Sequence, residues 1–407
     1  MSSISAEKDT TTVSEDTNTG VTNIPNQNEL SSNKEEIKRP KRVTDDDLYR
    51  RSSQYRLWSF TTDSLREKRF LVNENATLKV KDSLNKFIED KQNSLSDIEI
   101  QTIKSKAVPV TPDEELKLVS FYAKKVQMIA QHLNLPTEVV ATSIIFFKRF
   151  FLENSVTEFD PKDLVHTTIF LACKSENYFI SVDSFAKKAK SKRDEILKYE
   201  FKLLESLKFT LLNHHPYKPL HGFYLDIQNV LHGKVDLNYM GKIYDKCKKK
   251  ITDALLTDVV YHFTPPQINL AVFLNEDEQL IRRYLELKFS STETNQFTDS
   301  TTTATTNNNN NNNNNANITE NDDKKNGNKD EENKINLESL LNIILDCKKM
   351  IASYQTISTQ DAKLIYAKIY YCKNPNVIVQ KLKRKLEQAS DGNSNKNTEH
   401  VDKKQST

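Results

Sequence analysis

The stretch Ile144-Ile-Phe-Phe-Lys-Arg-Phe-Phe-Leu152 leaves few folds open to this chain. Helical spacing puts Val140, Ile144, Phe147 and Phe151 on one side, and Ile145, Phe146 and Phe150 widen the apolar surface until little polar face remains. A helix of that kind has to be wrapped by others. A second segment, Ile169-Phe-Leu-Ala-Cys-Lys-Ser-Glu176, has the same character but carries Lys174 on its apolar stripe. A buried ammonium must be paired, neutral or waiting for a partner. The oddity points to a surface made for binding another protein.

Composition agrees with an all-α protein. Six glycines in 407 residues disfavour α/β nucleotide folds with Gly-rich phosphate loops. Abundant Leu, Ile, Lys and Glu favour helix. A net charge of +3 argues against a dedicated nucleic-acid binder. The cysteines Cys173, Cys247, Cys347 and Cys372 are scattered, so neither a zinc site nor a disulfide scaffold is expected. The sequence shows no secretory signal and no apolar run of membrane length, which makes cytosol or nucleus the expected setting. The sequon Asn317-Ile-Thr319 therefore carries no weight.

Patterning along the chain divides it into segments. Residues 1–44 read as a disordered tail rich in Ser, Thr, Asn and Glu, with Lys38-Arg-Pro-Lys-Arg42 as a candidate nuclear localisation signal. Residues 45–110 read as an N-terminal helical extension, in which Tyr55, Trp58 and Phe60 are expected to dock on the neighbouring domain. Residues 111–212 form a first helical domain of five helices, opened by Thr111-Pro-Asp-Glu-Glu115, a capping Thr followed by Pro and acids. Its fifth helix is expected from Arg193 to Leu207. The prolines of Leu211-Leu-Asn-His-His-Pro-Tyr-Lys-Pro219 break helicity, and a second helical domain of similar size spans 213–290. Residues 291–334, with their Asn run, read as a disordered low-complexity linker; 335–387 read as C-terminal helices and 388–407 as a disordered tail. The segment Lys381-Leu-Lys-Arg-Lys385 reads as a solvated basic helix face.

Catalytic constellations are missing: no Gly-x-Ser-x-Gly, no His-Glu-x-x-His, no phosphate loop. No catalytic residue, metal ligand or cofactor is expected, and His214-His215 reads as packing between domains. One polar pair does stand out. Glu200 falls on the stripe of the fifth helix, four residues after Ile196 and three before Leu203. Two charges on apolar faces are expected to meet, so Lys174 and Glu200 form a candidate ion pair, either a plain interhelical bridge or a charged spot at the edge of a binding groove.

At these residues the chain resembles a cyclin. Phe147-Lys-Arg-Phe-Phe-Leu-Glu-Asn-Ser-Val156, Phe170-Leu-Ala-Cys-Lys174 and Lys198-Tyr-Glu-Phe-Lys-Leu-Leu-Glu-Ser-Leu-Lys-Phe209 match a first cyclin box in order. Ser52-Ser-Gln-Tyr-Arg-Leu-Trp-Ser-Phe60, His215-Pro-Tyr-Lys-Pro219 and Leu256-Thr-Asp-Val-Val-Tyr-His-Phe-Thr-Pro-Pro-Gln-Ile268 narrow the resemblance to the cyclin H family, and the polyasparagine to its budding-yeast form. The resemblance implies two stacked cyclin boxes, with extra N- and C-terminal helices packing on the first. It implies that Lys174, Glu200, Leu204, Phe209 and Leu211 face a cyclin-dependent kinase catalytic subunit. It also implies a RING-finger assembly factor and the TFIIH core as partners, phosphorylation of the RNA polymerase II C-terminal repeat as the supported reaction, and the nucleus as the location. No direct nucleic acid and no membrane are expected as partners. The helix opening Glu115-Leu-Lys-Leu-Val-Ser-Phe-Tyr122 lacks the Trp-bearing docking patch of cell-cycle cyclins, and Ser175 and Asn177 depart from their pattern. The rival reading is a TFIIB-like initiation factor bridging polymerase and promoter DNA, which expects a zinc ribbon and basic DNA-facing helices.

Overall fold

The computed structural model describes residues 45–298 and 337–398. The expected tail 1–44, most of the expected linker and the end of the C-terminal tail lie outside the described residues. All regular structure among the described residues is helical. The N-terminal extension folds as α1 (Asp45–Arg51), α2 (Ser53–Trp58), α3 (Thr62–Asp90) and α4 (Asp97–Lys106). Ser52 and Thr61 cap α2 and α3, each accepting a backbone N–H within the first turn.

The first bundle comprises α5 (Pro112–His132), α6 (Thr137–Glu153), α7 (Pro161–Ser175), α8 (Val182–Ala189), α9 (Arg193–Leu197) and α10 (Glu200–Ser206). Every residue from Val139 to Leu152 is buried, and α5, α7 and α10 pack around α6 as its all-round apolar pattern demands. α5 opens with a reciprocal capping box between Thr111 and Glu114. The fifth helix, expected as one piece, is two. The Ile196 carbonyl, which an unbroken helix would pair with the Glu200 N–H, accepts the Thr167 hydroxyl of α7 at 2.8 Å. The chain turns at Lys198–Tyr199, and Glu200 starts a new helix.

The second bundle comprises α11 (Tyr217–Val230), α12 (Leu237–Ala254), α13 (Val259–His262), α14 (Pro265–Glu276) and α15 (Glu278–Thr298). Its central helix α14 is capped by Thr264 with Gln267 and buried from Ile268 to Leu274. α16 (Leu337–Ala352) packs on α14, with further contacts to α13 and α15. It therefore completes the second bundle, rather than joining the first as a terminal helix. α17 (Thr359–Lys373) returns to α5, and α18 (Pro375–Thr398) packs on α4. α15 and α18 both run past the boundaries at 290 and 387 read from composition.

A largely buried ionic clasp joins extension and bundles. Arg69 of α3 donates two hydrogen bonds to Asp258 at 2.8 and 2.7 Å. Lys148 of α6 donates to the carbonyls of Leu255 (3.2 Å) and Thr257, with Asp258 at 3.8 Å. Burial pushes the Lys148 ammonium down to about 8, against the pull of Asp258. Burial works to raise Asp258, but Arg69 and Lys148 outweigh it and hold the carboxyl at about 2.

Candidate functional site

The last turns of α7, the N-terminal part of α10 and the segment that follows α10 enclose an open groove. Leu171, Lys174, Ser175, Glu200, Phe201, Leu204 and Leu211 line it. α7 contributes Leu171 and Lys174 from adjacent positions on its face, and α10 contributes Glu200 and Leu204 four residues apart. Lys174 Nζ lies 2.5 Å from Glu200 Oε1 and 4.6 Å from the centre of the Phe170 ring. The expectation of a buried lysine is corrected here: its side chain is 49% exposed against 21% for Glu200. Lys174 sits in the final turn of α7, where the ammonium leaves its apolar stem and reaches the rim. The pair is thus a rim feature beside an apolar floor. Glu200 also stands in the first turn of α10, where a carboxylate suits the helix dipole.

Leu204 and Leu211 are half-buried within the groove, whereas Phe209 stands outside its lining. Phe209 is 64% exposed and its ring lies 6.4 Å from that of Phe201, itself 72% exposed. Phe179, 94% exposed, and Leu212, 66% exposed, add unpaid apolar surface on the segments that follow α7 and α10. None of Phe179, Phe201 or Leu212 was singled out from the sequence; each has an apolar neighbour within two positions, so nothing local marks it as exposed. The loop bearing Phe209 has a defined shape. Phe209 N–H donates to Leu204 O at 3.0 Å and Lys208 N–H to Glu205 O at 2.9 Å, a Schellman closure of α10. Lys208 and Phe209 take φ values of 54° and 53°, a left-handed conformation that side chains other than glycine adopt at a cost.

The N-terminal extension supports this loop. Trp58 is fully buried, and its Nε1 donates to the Thr210 hydroxyl at 3.0 Å. The Arg149 guanidinium and the Lys208 ammonium lie over its ring at 4.9 and 5.3 Å from the centre. Phe60 docks by its backbone, donating to Tyr261 O at 2.8 Å while His262 Nδ1 bonds its carbonyl at 2.8 Å. Tyr55 does not dock with them. It is 41% exposed and meets Tyr49 of the same extension edge-on.

Behind the groove, Glu176 at the end of α7 reaches the interbundle linker. The Thr142 hydroxyl donates to it at 2.5 Å and His215 Nε2 lies at 3.4 Å, so the linker histidine is part of a buried polar joint. Burial pushes Glu176 up, yet the contacts from His215 and Thr142 prevail and keep its carboxyl below the ordinary range. The α5 face bearing Tyr122 is covered by α17: the Tyr122 and Tyr366 rings lie 5.9 Å apart, and Lys368 pairs with Glu114 at 2.5 Å. No group of His, Cys, Asp and Glu able to hold a metal occurs among the described residues. The geometry fits docking, with an apolar floor, exposed aromatic flanks and one charge pair able to bond a partner's main chain.

Comparison with known proteins gives this arrangement a family context. The model for the cyclin N-terminal domain matches residues 92–212, and that for the cyclin C-terminal domain matches 215–352, taking in α16. Cyclin CCL1 of Saccharomyces cerevisiae is 61% identical over 90% of this chain and 90% of its own length. A putative cyclin-H of Dictyostelium discoideum is 32% identical, covering 55% of this chain and 73% of its own. A chain in the cryo-EM structure of the yeast TFIIK (Kin28/Ccl1/Tfb3) complex is 55% identical with a TM-score of 0.53, covering 74% of this chain and all of that one.

Proposed function

As the chain belongs to the cyclin family, of the cyclin H type, we propose that it is the regulatory, non-catalytic subunit of a transcription-associated cyclin-dependent kinase. The observation that carries this reading is the groove between α7 and α10, with the Lys174–Glu200 pair at its rim and apolar residues left exposed around it. A kinase's αC helix laid across it buries Leu204, Leu211, Phe201 and Phe209. Lys174 and Glu200 then bond the ends of main-chain segments that the apolar floor cannot satisfy. Such binding pushes αC inward and lets the kinase's own Lys–Glu ion pair form. The cyclin supplies no reacting group. It favours the active kinase only by binding that state more tightly.

The TFIIK relative supports a kinase catalytic subunit and an assembly factor as partners; a RING-finger protein in that second place belongs to the proposal. Attachment to the TFIIH core, phosphorylation of the polymerase C-terminal repeat and action in the nucleus follow from the same reading. Nothing in these matches favours the DNA-bridging alternative.

Charge reversal tests it. Lys174→Glu and Glu200→Lys are each expected to weaken kinase binding by about thirtyfold or more, measured by co-purification and kinase activation. Their urea melts should stay close to wild type, because the pair is partly exposed. Normal activation by both variants would remove the groove from the interface. Loss of folding would make the pair a structural bridge.

A further inference from the structure

The helices α3, α4, α17 and α18 share a small core of their own, built on Leu84, Ile103, Ala107, Cys372, Ile378 and Val379. Its surface concentrates positive charge that the groove does not use. Lys106 ends α4, and Lys381, Lys383, Arg384 and Lys385 follow on α18, all with exposed side chains. Lys383 lies 3.6 Å from Glu99. Lys106, Lys381 and Lys385 have no carboxylate at ion-pair distance among the described residues.

Lys381 is fixed on one hydroxyl, and the charges of Lys385 on α18 and Lys106 on α4 reach it. Lys381 Nζ lies 3.0 Å from Tyr371 Oη and 5.1 Å from the ring centre. Lys385 stands one turn further along the same face of α18, and α4 packs along that helix to bring in Lys106. The Tyr371 phenol registers the gathering. Its hydrogen bond from Lys381, aided by the charges of Lys106 and Lys385, holds it below the ordinary range. Like charges placed together around a neutral group repel one another. An anion with several acceptor oxygens removes that cost.

We propose that Lys106, Lys381, Lys385 and the Tyr371 hydroxyl form a docking site for a phosphorylated protein segment, with one phosphoryl group held among them. A phosphoryl group brings nearly two negative charges and three acceptor oxygens, matching three ammonium groups where a single carboxylate does not. Duplex nucleic acid calls for a stripe of cations following regularly spaced phosphates, whereas the fixed point here is a single tyrosine hydroxyl bonded by Lys381. Leu386, 58% exposed beside them, offers apolar contact to a flanking side chain of the peptide. The proposal rests on the kinase reading in one respect, the source of the ligand: a protein kinase generates phosphorylated segments in its own vicinity.

The test uses the full chain without its kinase, so its failure and that of the groove assignment are separate. Fluorescence anisotropy is read with a labelled peptide carrying one phosphoserine among uncharged residues, with the same peptide unphosphorylated, and with a short DNA duplex as competitor. The phosphopeptide is expected to bind about tenfold or more tightly than its unphosphorylated form. Lys381→Glu combined with Lys385→Glu should erase that difference while the helical melt is kept. Tyr371→Phe should weaken phosphopeptide binding a fewfold, about the loss of one hydrogen bond. Equal binding of the two peptides, or a difference that survives charge reversal, overturns the proposal. A duplex that displaces the phosphopeptide at lower concentration makes the patch a nucleic-acid surface and overturns it as well.

Discussion

Lys148 is the residue whose surroundings make the sharpest demand. It lies in the middle of the most apolar helix, 6% exposed, with an ammonium bonded to two carbonyls of the α12–α13 turn. Its folded value of about 8 lies below the unfolded value, so between these the unfolded chain binds more protons and stability rises with pH. Comparing wild type with Lys148→Met removes the titrations common to both, including the buried cysteines and tyrosines. The gap between them in urea melts should move by about 2 kcal/mol in favour of wild type from pH 7.5 to 9.5. A gap that does not change with pH would mean the lysine is not desolvated. A sequence reading picks out Lys174 and passes over Lys148 and Arg149, although these are the buried pair. The Lys148 partners, Asp258 and the turn carbonyls, are about a hundred residues away, and nothing local signals them. Trp58 was legible as a docking residue, but not its contact with Thr210, which carries a further expectation. Trp58→Ala should cost about 3–5 kcal/mol and also weaken kinase binding, although Trp58 does not line the groove. If the melt falls while the affinity of the surviving folded protein is unchanged, the loop before Leu211 holds its shape without Trp58.

At the scale of elements, starts were easier to read than breaks. Thr111-Pro-Asp-Glu and Thr264-Pro-Pro-Gln both begin helices with reciprocal capping boxes, because capping chemistry is local and written within four residues. The split between α9 and α10 was not legible. Neither Gly nor Pro occurs from Arg193 to Leu207, and the apolar spacing runs straight through. The break is tied to a hydroxyl on another helix, Thr167, which takes the Ile196 carbonyl. Since that break sets where α10 and Glu200 begin, Thr167→Val is expected to cost about 1–2 kcal/mol and to weaken kinase binding as well. Thr111→Ala, which removes only a cap, should cost about 1 kcal/mol and leave kinase affinity alone. Kinase titrations of the two variants at matched folded fraction separate these effects. Equal affinities would dissociate the break from the placement of Glu200.

Across the whole molecule, two tandem bundles could be read from the sequence because helical segments of similar extent lie on either side of the proline-bearing linker Leu211–Pro219. The membership of α16 could not, since a low-complexity segment stands between it and the α14 surface that it covers. Nor could the way in which extension and bundles are locked together. Arg69 comes from the extension, Lys148 from the first bundle and Asp258 from the second, so one carboxylate ties all three. Its folded value of about 2 is depressed below the unfolded one. The stabilisation is therefore fully present above the unfolded value, near pH 4, and is lost as pH falls toward 2. The contribution is about 2.5 kcal/mol at neutral pH. Asp258→Asn should cost more than this, about 3–5 kcal/mol, because Arg69 and Lys148 are left facing each other without an anion. Adding Arg69→Met to Asp258→Asn should recover part of the loss by removing one unpaired cation, which urea melts of the single and double variants measure as a coupling. Strict additivity in that cycle would show that Arg69 and Asp258 act separately, and that the extension is fastened to the bundles by its other contacts, those of Trp58, Phe60 and Asn73 among them.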